Sequence, residues 1–131
     1  MGKVRVEHKG DMLFEATAGN HKAQFDVPPA MGGKDRAMNP TEAFAVSLAA
    51  CVNVLVTKYC KDMQIDPTGL TVELTYDKLE SPSRLGNFKA AIKIPKGGWE
   101  SRKDGVLRAA DRCPVAETVR QFKGMEITVT S

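Results

Sequence analysis

Cysteine, histidine and aromatic residues are all scarce in this chain, and each shortage removes a class of function. The chain has three cysteines, an odd number that suits neither a closed disulfide framework nor a four-thiolate zinc site. There is no CxxC or HExxH motif, and His8 and His21 both lie in or beside strand patterns, so no metal site is expected. Aromatic residues make up 6% of the chain, and its net charge of +3 comes from dispersed Lys and Arg. That offers no stacking platform for nucleic acid. The longest apolar run, Ala43 to Val56, is interrupted by Ser47 and Asn53 and falls short of the roughly 20 residues that span a bilayer. No membrane partner is expected. The charged opening "MGKVRVEHKG" has no apolar segment behind it, so it does not read as a secretory signal, and a cytoplasmic location is the expectation. The stretch "MGGKDR" lacks the upstream glycine and the following Ser or Thr of a phosphate loop. No serine sits in a strand-turn-helix elbow.

What is present reads as one globular domain, residues 1–131, with 42% hydrophobic and 27% charged residues. A chain of this size supports one core. Strict alternation of apolar and polar residues marks Ala23-Phe25-Val27, Leu70-Val72-Leu74-Tyr76, Phe88-Ala90-Ile92-Ile94 and Met125-Ile127-Val129 as half-buried antiparallel strands. A weaker pair, Val4-Val6 and Met12-Phe14-Ala16, is broken by Lys9-Gly10-Asp11, which reads as a hairpin turn.

Two helical regions lie between these strands. The first opens at Asn39-Pro40-Thr41-Glu42, where Asn39 is an N-cap, Pro40 suits the first helical position and Glu42 can bond back to the cap. It should run to about Asp62. Its polar residues are thinly spread, so both of its sides need cover, and in so small a protein a second chain is expected to supply part of it. The second region, about Lys103 to Phe122, is cut by Pro114, which removes a backbone donor and starts a fresh helix. Strands, a long helix, two strands, a broken helix and a final strand, without regular strand-helix alternation, define an α+β fold. The sheets are antiparallel around a long buried central helix.

The three cysteines then separate. Cys51 has Phe44, Leu48 and Leu55 around it at helical spacing, which suits a buried structural thiol as well as a reactive one. Burial raises a thiol's pKa, so a reactive Cys51 needs a nearby cation. Cys113 immediately precedes Pro114 and so sits at a helix N-terminus, where the dipole and unpaired amides favour a thiolate. By local physics it is the more acidic of the two. Cys60 is nine residues beyond Cys51, on the opposite helix face and roughly 13 Å along the axis, so it reads as packing.

The segments "NPTEAFAVSLAAC", ending at Cys51, and "RCPVAETV", starting at Arg112, together resemble the OsmC/Ohr family of osmotically inducible and organic hydroperoxide resistance proteins. The "GGKDRAMNP" approach and "SLAAC" are closer to the broad OsmC-like branch. The resemblance implies an intertwined homodimer with a thiol site at the subunit interface and no cofactor. It also implies a thiol-dependent peroxidase for organic hydroperoxides. Carried over, Cys51 is the peroxidatic thiol, Cys113 the resolving thiol, and an external dithiol the reductant. The glutamate that follows Asn-Pro directly in the hydroperoxide resistance branch is replaced here by Thr41, with Glu42 one residue later, so Glu42 is either catalytic or a helix cap. The branch's arginine in the N-terminal hairpin has no counterpart in "HKGDML", which leaves Arg36 or Lys9 to supply the positive charge. The alternative is a non-catalytic dimer that binds a small apolar or electrophilic ligand at the subunit interface.

Overall fold

The computed structural model describes residues 1–131, which divide into two compact units, Met1–Val46 and Ser47–Ser131. The first unit is a meander of β1 (Val4–Gly10), β2 (Leu13–Ala18) and β3 (His21–Phe25), paired antiparallel in the order β1-β2-β3. The register sets Val6 against Ala16 and Ala16 against Ala23, so the small and apolar alternating positions lie across from one another. The expected turn is there, with Asp11 at φ 48°, a left-handed conformation that a short acidic side chain tolerates. Burial is less even than the alternation promised. β2 is half-buried over most of its length, whereas Val4 and Val6 on β1 remain 71% and 59% exposed.

β3 ends at Phe25, and the last residue of its pattern, Val27, is buried in the loop that follows. The cause is Asp26. Its carboxylate is fully buried and accepts the backbone N–H of Val27 at 2.7 Å, of Lys34 at 3.4 Å and of Arg36 at 3.1 Å, and the Arg36 Nε–H at 2.6 Å. The segment between, including a 3₁₀ turn at Pro29–Met31, is therefore wound around a single carboxylate. Gly33 makes that possible, since a Cβ there would overlap the Val27 carbonyl and Asp26 Oδ1.

The long helix, α1, runs Pro40–Asp62, and its start is a complete capping box. Asn39 Oδ1 accepts the Glu42 N–H at 2.9 Å, and Glu42 Oε1 accepts the Asn39 N–H at 3.0 Å. By length and composition α1 is long and apolar enough to cross a membrane, a property it shares with the core helices of soluble proteins. Its Val56 and Cys60 are fully buried and join a protein core.

That core belongs to the second unit. The hairpin of β4 (Thr71–Leu79) and β5 (Arg84–Lys93) pairs Val72 with Ile92 and Leu74 with Ala90. The sequence then forms a 3₁₀ turn at Glu100–Arg102, α2 (Lys103–Asp111) and α3 (Pro114–Gln121), with the break where Pro114 requires it. Val56 and Cys60 of α1 pack with Ile65, Ile94 and Val106, and Val52, Tyr59, Ile92 and Trp99 surround them. Gly105 of α2 lies against the Tyr59 ring, leaving no room for a side chain.

One expectation needs correction. The pattern Met125-Ile127-Val129 forms no strand, and these side chains are 77%, 75% and 93% exposed. A strand exists only where its N–H and C=O groups meet a partner edge, and this segment meets none in its own chain. The long helix is buried on part of its circumference within one chain, at Val56 and Cys60, while Val46 is 49% and Val54 65% exposed.

Candidate active site

Cys113 is the N-cap of α3, the position at which a helix leaves its first N–H groups without intrahelical partners. Pro114 at the first helical position has no N–H to offer. The next two residues do. The Ala116 N–H donates to Cys113 Sγ at 3.4 Å, and the Val115 N–H donates to Cys51. The two thiols also share a hydrogen bond with each other. Both are reduced. Residues far apart in sequence, one on α1 and one at the α2–α3 corner, thus meet over the same helix N-terminus, which presents one amide to each sulfur and adds the positive end of its dipole.

Their surroundings differ. Cys113 is 2% exposed, whereas Cys51 is half-buried. Burial pushes the Cys51 thiol above its ordinary pKa, the hydrogen bond and charge of Cys113 push it the same way, and the Val115 N–H pulls against them. Local sequence reasoning placed the helix terminus beside Cys113 alone. The Val115 amide that serves Cys51 has no signature in sequence, because it depends on the packing of α3 on α1.

The remaining sequence candidates have partners of their own. The Glu42 carboxylate accepts the Asn39 N–H in the capping box. Arg36 is held by Asp26, whose carboxyl lies well below the usual carboxylate range because the guanidinium, and then the loop amides, favour its charged form against burial. Lys9 pairs with Glu7 at 3.1 Å. Cys60 is packing, as expected. Asp26 was not anticipated, although a lone acid between Phe25 and Val27, followed by two prolines, is the kind of interruption that marks a buried carboxylate. No group of three or more His, Cys, Asp and Glu is arranged to hold a metal. An apolar cavity of about 180 Å³ bounded by Ile92, Ile94, Trp99, Val106 and Leu107 contains neither Cys51 nor Cys113.

Residues 32–129 match the family described as OsmC-like protein. Among solved structures, the chain is similar to a Psychrobacter arcticus protein named for an osmotic stress induced and detoxification response. The identity is 29% and the TM-score 0.81, over 90% of this chain and 88% of that one. It is also similar to an organic hydroperoxide resistance protein from Legionella pneumophila, with 23% identity and TM-score 0.64 over 92% and 89% of the two chains. A third is the organic hydroperoxide resistance protein OhrB of Bacillus subtilis, with 21% identity and TM-score 0.61 over 92% and 90%. The latter two likenesses concern the fold. No curated protein matches the chain.

Proposed function

The chain belongs to the OsmC-like family, and from that premise we propose that it reduces organic hydroperoxides through Cys51 and Cys113 in defence against oxidative or osmotic stress. The observation that carries this reading is the contact of these two thiols over the α3 N-terminus. The names of the structural relatives, two of them hydroperoxide resistance proteins, support it. In the proposed first step the Cys51 thiolate attacks the terminal peroxide oxygen, the O–O bond breaks, and the alcohol leaves after taking a proton. Cys51 becomes a sulfenic acid. Cys113 then attacks that sulfur and expels water, forming a disulfide that an external dithiol reduces. Arg36, held by Asp26, is the proposed cation for the first step, and Glu42 is proposed as a further catalytic residue.

The proposed unit is a homodimer. Its support is the apolar surface that one chain leaves open, Val46 and Val54 on α1 and Met125, Ile127 and Val129 in the tail. A second reading, a non-catalytic dimer that binds a small apolar or electrophilic ligand, draws on the upward shift of the Cys51 thiol, which disfavours a nucleophile. One equivalent of cumene hydroperoxide separates the two. Loss of the Cys51 and Cys113 thiols, abolished by Cys51→Ser, is the expected result. Retention of both thiols, or unchanged turnover in the variant, overturns the peroxidase reading.

A further inference from the structure

The thiol pair is asymmetric in a way that bears on how its disulfide is reopened. We infer that the reducing dithiol attacks the sulfur of Cys51, never that of Cys113, so that peroxide and reductant are received at one sulfur through one mouth. This rests on the proposed pairing of Cys51 with Cys113 and specifies the direction of its reduction.

Two independent features of the site select the same sulfur. The first is access. Cys113 is 2% exposed at the corner between α2 and α3, while Cys51 is only half-buried. Thiol–disulfide exchange needs the incoming thiolate to approach in line with the S–S bond, from the side of the sulfur that faces away from its partner. The second is the leaving group. The rate of exchange rises as the departing thiolate becomes more stable. Cys113 leaves as the N-cap of an eight-residue helix, with the Ala116 N–H already directed at its sulfur. Cys51, by contrast, lies within α1, away from either end of that helix.

The electron count closes with a dithiol as the sole reductant. One of its thiolates forms a bond to Cys51 Sγ, the Cys51–Cys113 bond breaks, and the electron pair leaves on Cys113 Sγ. The second thiolate of the same reductant attacks its own sulfur in the mixed disulfide, closing a cyclic disulfide and releasing Cys51 as a thiolate. The dithiol loses two electrons and two protons, and the protein regains both thiols. Because one sulfur serves both half-reactions, reductant bound at the mouth also excludes hydroperoxide. Excess dithiol should therefore inhibit turnover competitively with peroxide.

The test does not depend on peroxidase activity. The wild-type disulfide is made with diamide, exposed to 2-nitro-5-thiobenzoate for milliseconds, quenched in acid with N-ethylmaleimide and mapped by peptide mass. The expected result is the aromatic adduct on Cys51 and maleimide on Cys113, by about ten to one or better. Equal labelling, or adduct mainly on Cys113, overturns the proposal. A second measurement removes exchange between the two sulfurs. Cys113→Ser and Cys51→Ser, each combined with Cys60→Ala to remove the third thiol, carry thiobenzoate as a mixed disulfide on the remaining cysteine, and dithiothreitol releases it. Faster release from Cys51, or failure of Cys113 to take the label at all, supports the proposal, and equal or faster release from Cys113 refutes it. If diamide forms the disulfide and the adduct falls on Cys51 while hydroperoxide leaves the thiols intact, the peroxidase reading fails and this inference stands.

Discussion

Oxidising the Cys51–Cys113 pair should stabilise the fold by an amount set by the chain it encloses. The two cysteines are about 62 residues apart, and closing a loop of that length removes roughly 14 cal/mol/K from the unfolded ensemble, or about 4.3 kcal/mol at 25 °C, before any strain in the folded state is subtracted. Little strain is expected, because the two thiols are near enough to interact in the reduced protein. For a chain of 131 residues, an unfolding entropy of about 2.1 cal/mol/K per residue converts that figure into a rise in Tm of roughly 15 °C. The assay is urea and thermal unfolding of the reduced and diamide-oxidised protein at one concentration, since any self-association would shift both midpoints. Cys51→Ser and Cys113→Ser are the controls, and oxidant should leave their midpoints unchanged. With the bond confirmed by peptide mapping, a gain under about 1 kcal/mol would refute the reasoning. It would mean that contact in the reduced state does not imply a geometry ready to bond.

Other perturbations test the rest of the structure. Val56→Ala, at a fully buried core position, should cost about 2–3 kcal/mol by urea denaturation, whereas Val54→Asp on the exposed face of α1 should change little within one chain but abolish the proposed dimer in sedimentation. Gly33→Ala places a methyl group against the Val27 carbonyl and the Asp26 carboxylate and should cost about 1–3 kcal/mol, with early loss of hydrogen-exchange protection at the Arg36 amide. Glu42→Gln keeps an acceptor for the Asn39 N–H, so hydroperoxide turnover should survive if Glu42 only caps α1 and fall if its charge is used. Asp26 has its folded pKa lowered below the unfolded value by Arg36 and the loop amides. Its contribution is therefore fully present above the unfolded carboxyl pKa of about 3.9 and is lost as pH falls toward the folded value. Asp26→Asn should flatten the acid limb of a urea-midpoint profile below pH 4, and an unchanged limb would contradict the clamp.

Much of the fold was legible because local chemistry dictates it. Asn39, Pro40 and Glu42 form a capping box whatever surrounds them, and α1 begins where they place it. Pro114 breaks the second helical region at its own position, and the alternation in β4 and β5 carries over into their pairing. What escaped depends on contacts between distant parts. Met125, Ile127 and Val129 alternate as a strand should, yet alternation specifies a face and not a neighbour. The winding of the loop after β3 has no signature of its own, because a sequence does not reveal that one carboxylate will gather four donors. The site was half legible. The motifs around Cys51 and Cys113 marked the pair, while the amide donors are backbone atoms with no letter of their own.

Pro114 contributes most through the hydrogen it lacks. Had that residue carried an amide, the first N–H after Cys113 would compete for one sulfur or the other. Its absence leaves a donor to each thiol, Val115 to Cys51 and Ala116 to Cys113. In the proposed cycle negative charge passes from one sulfur to the other, and each has an amide of its own to receive it. For that cycle the corner is a pair of fixed electrodes, one amide set against each sulfur.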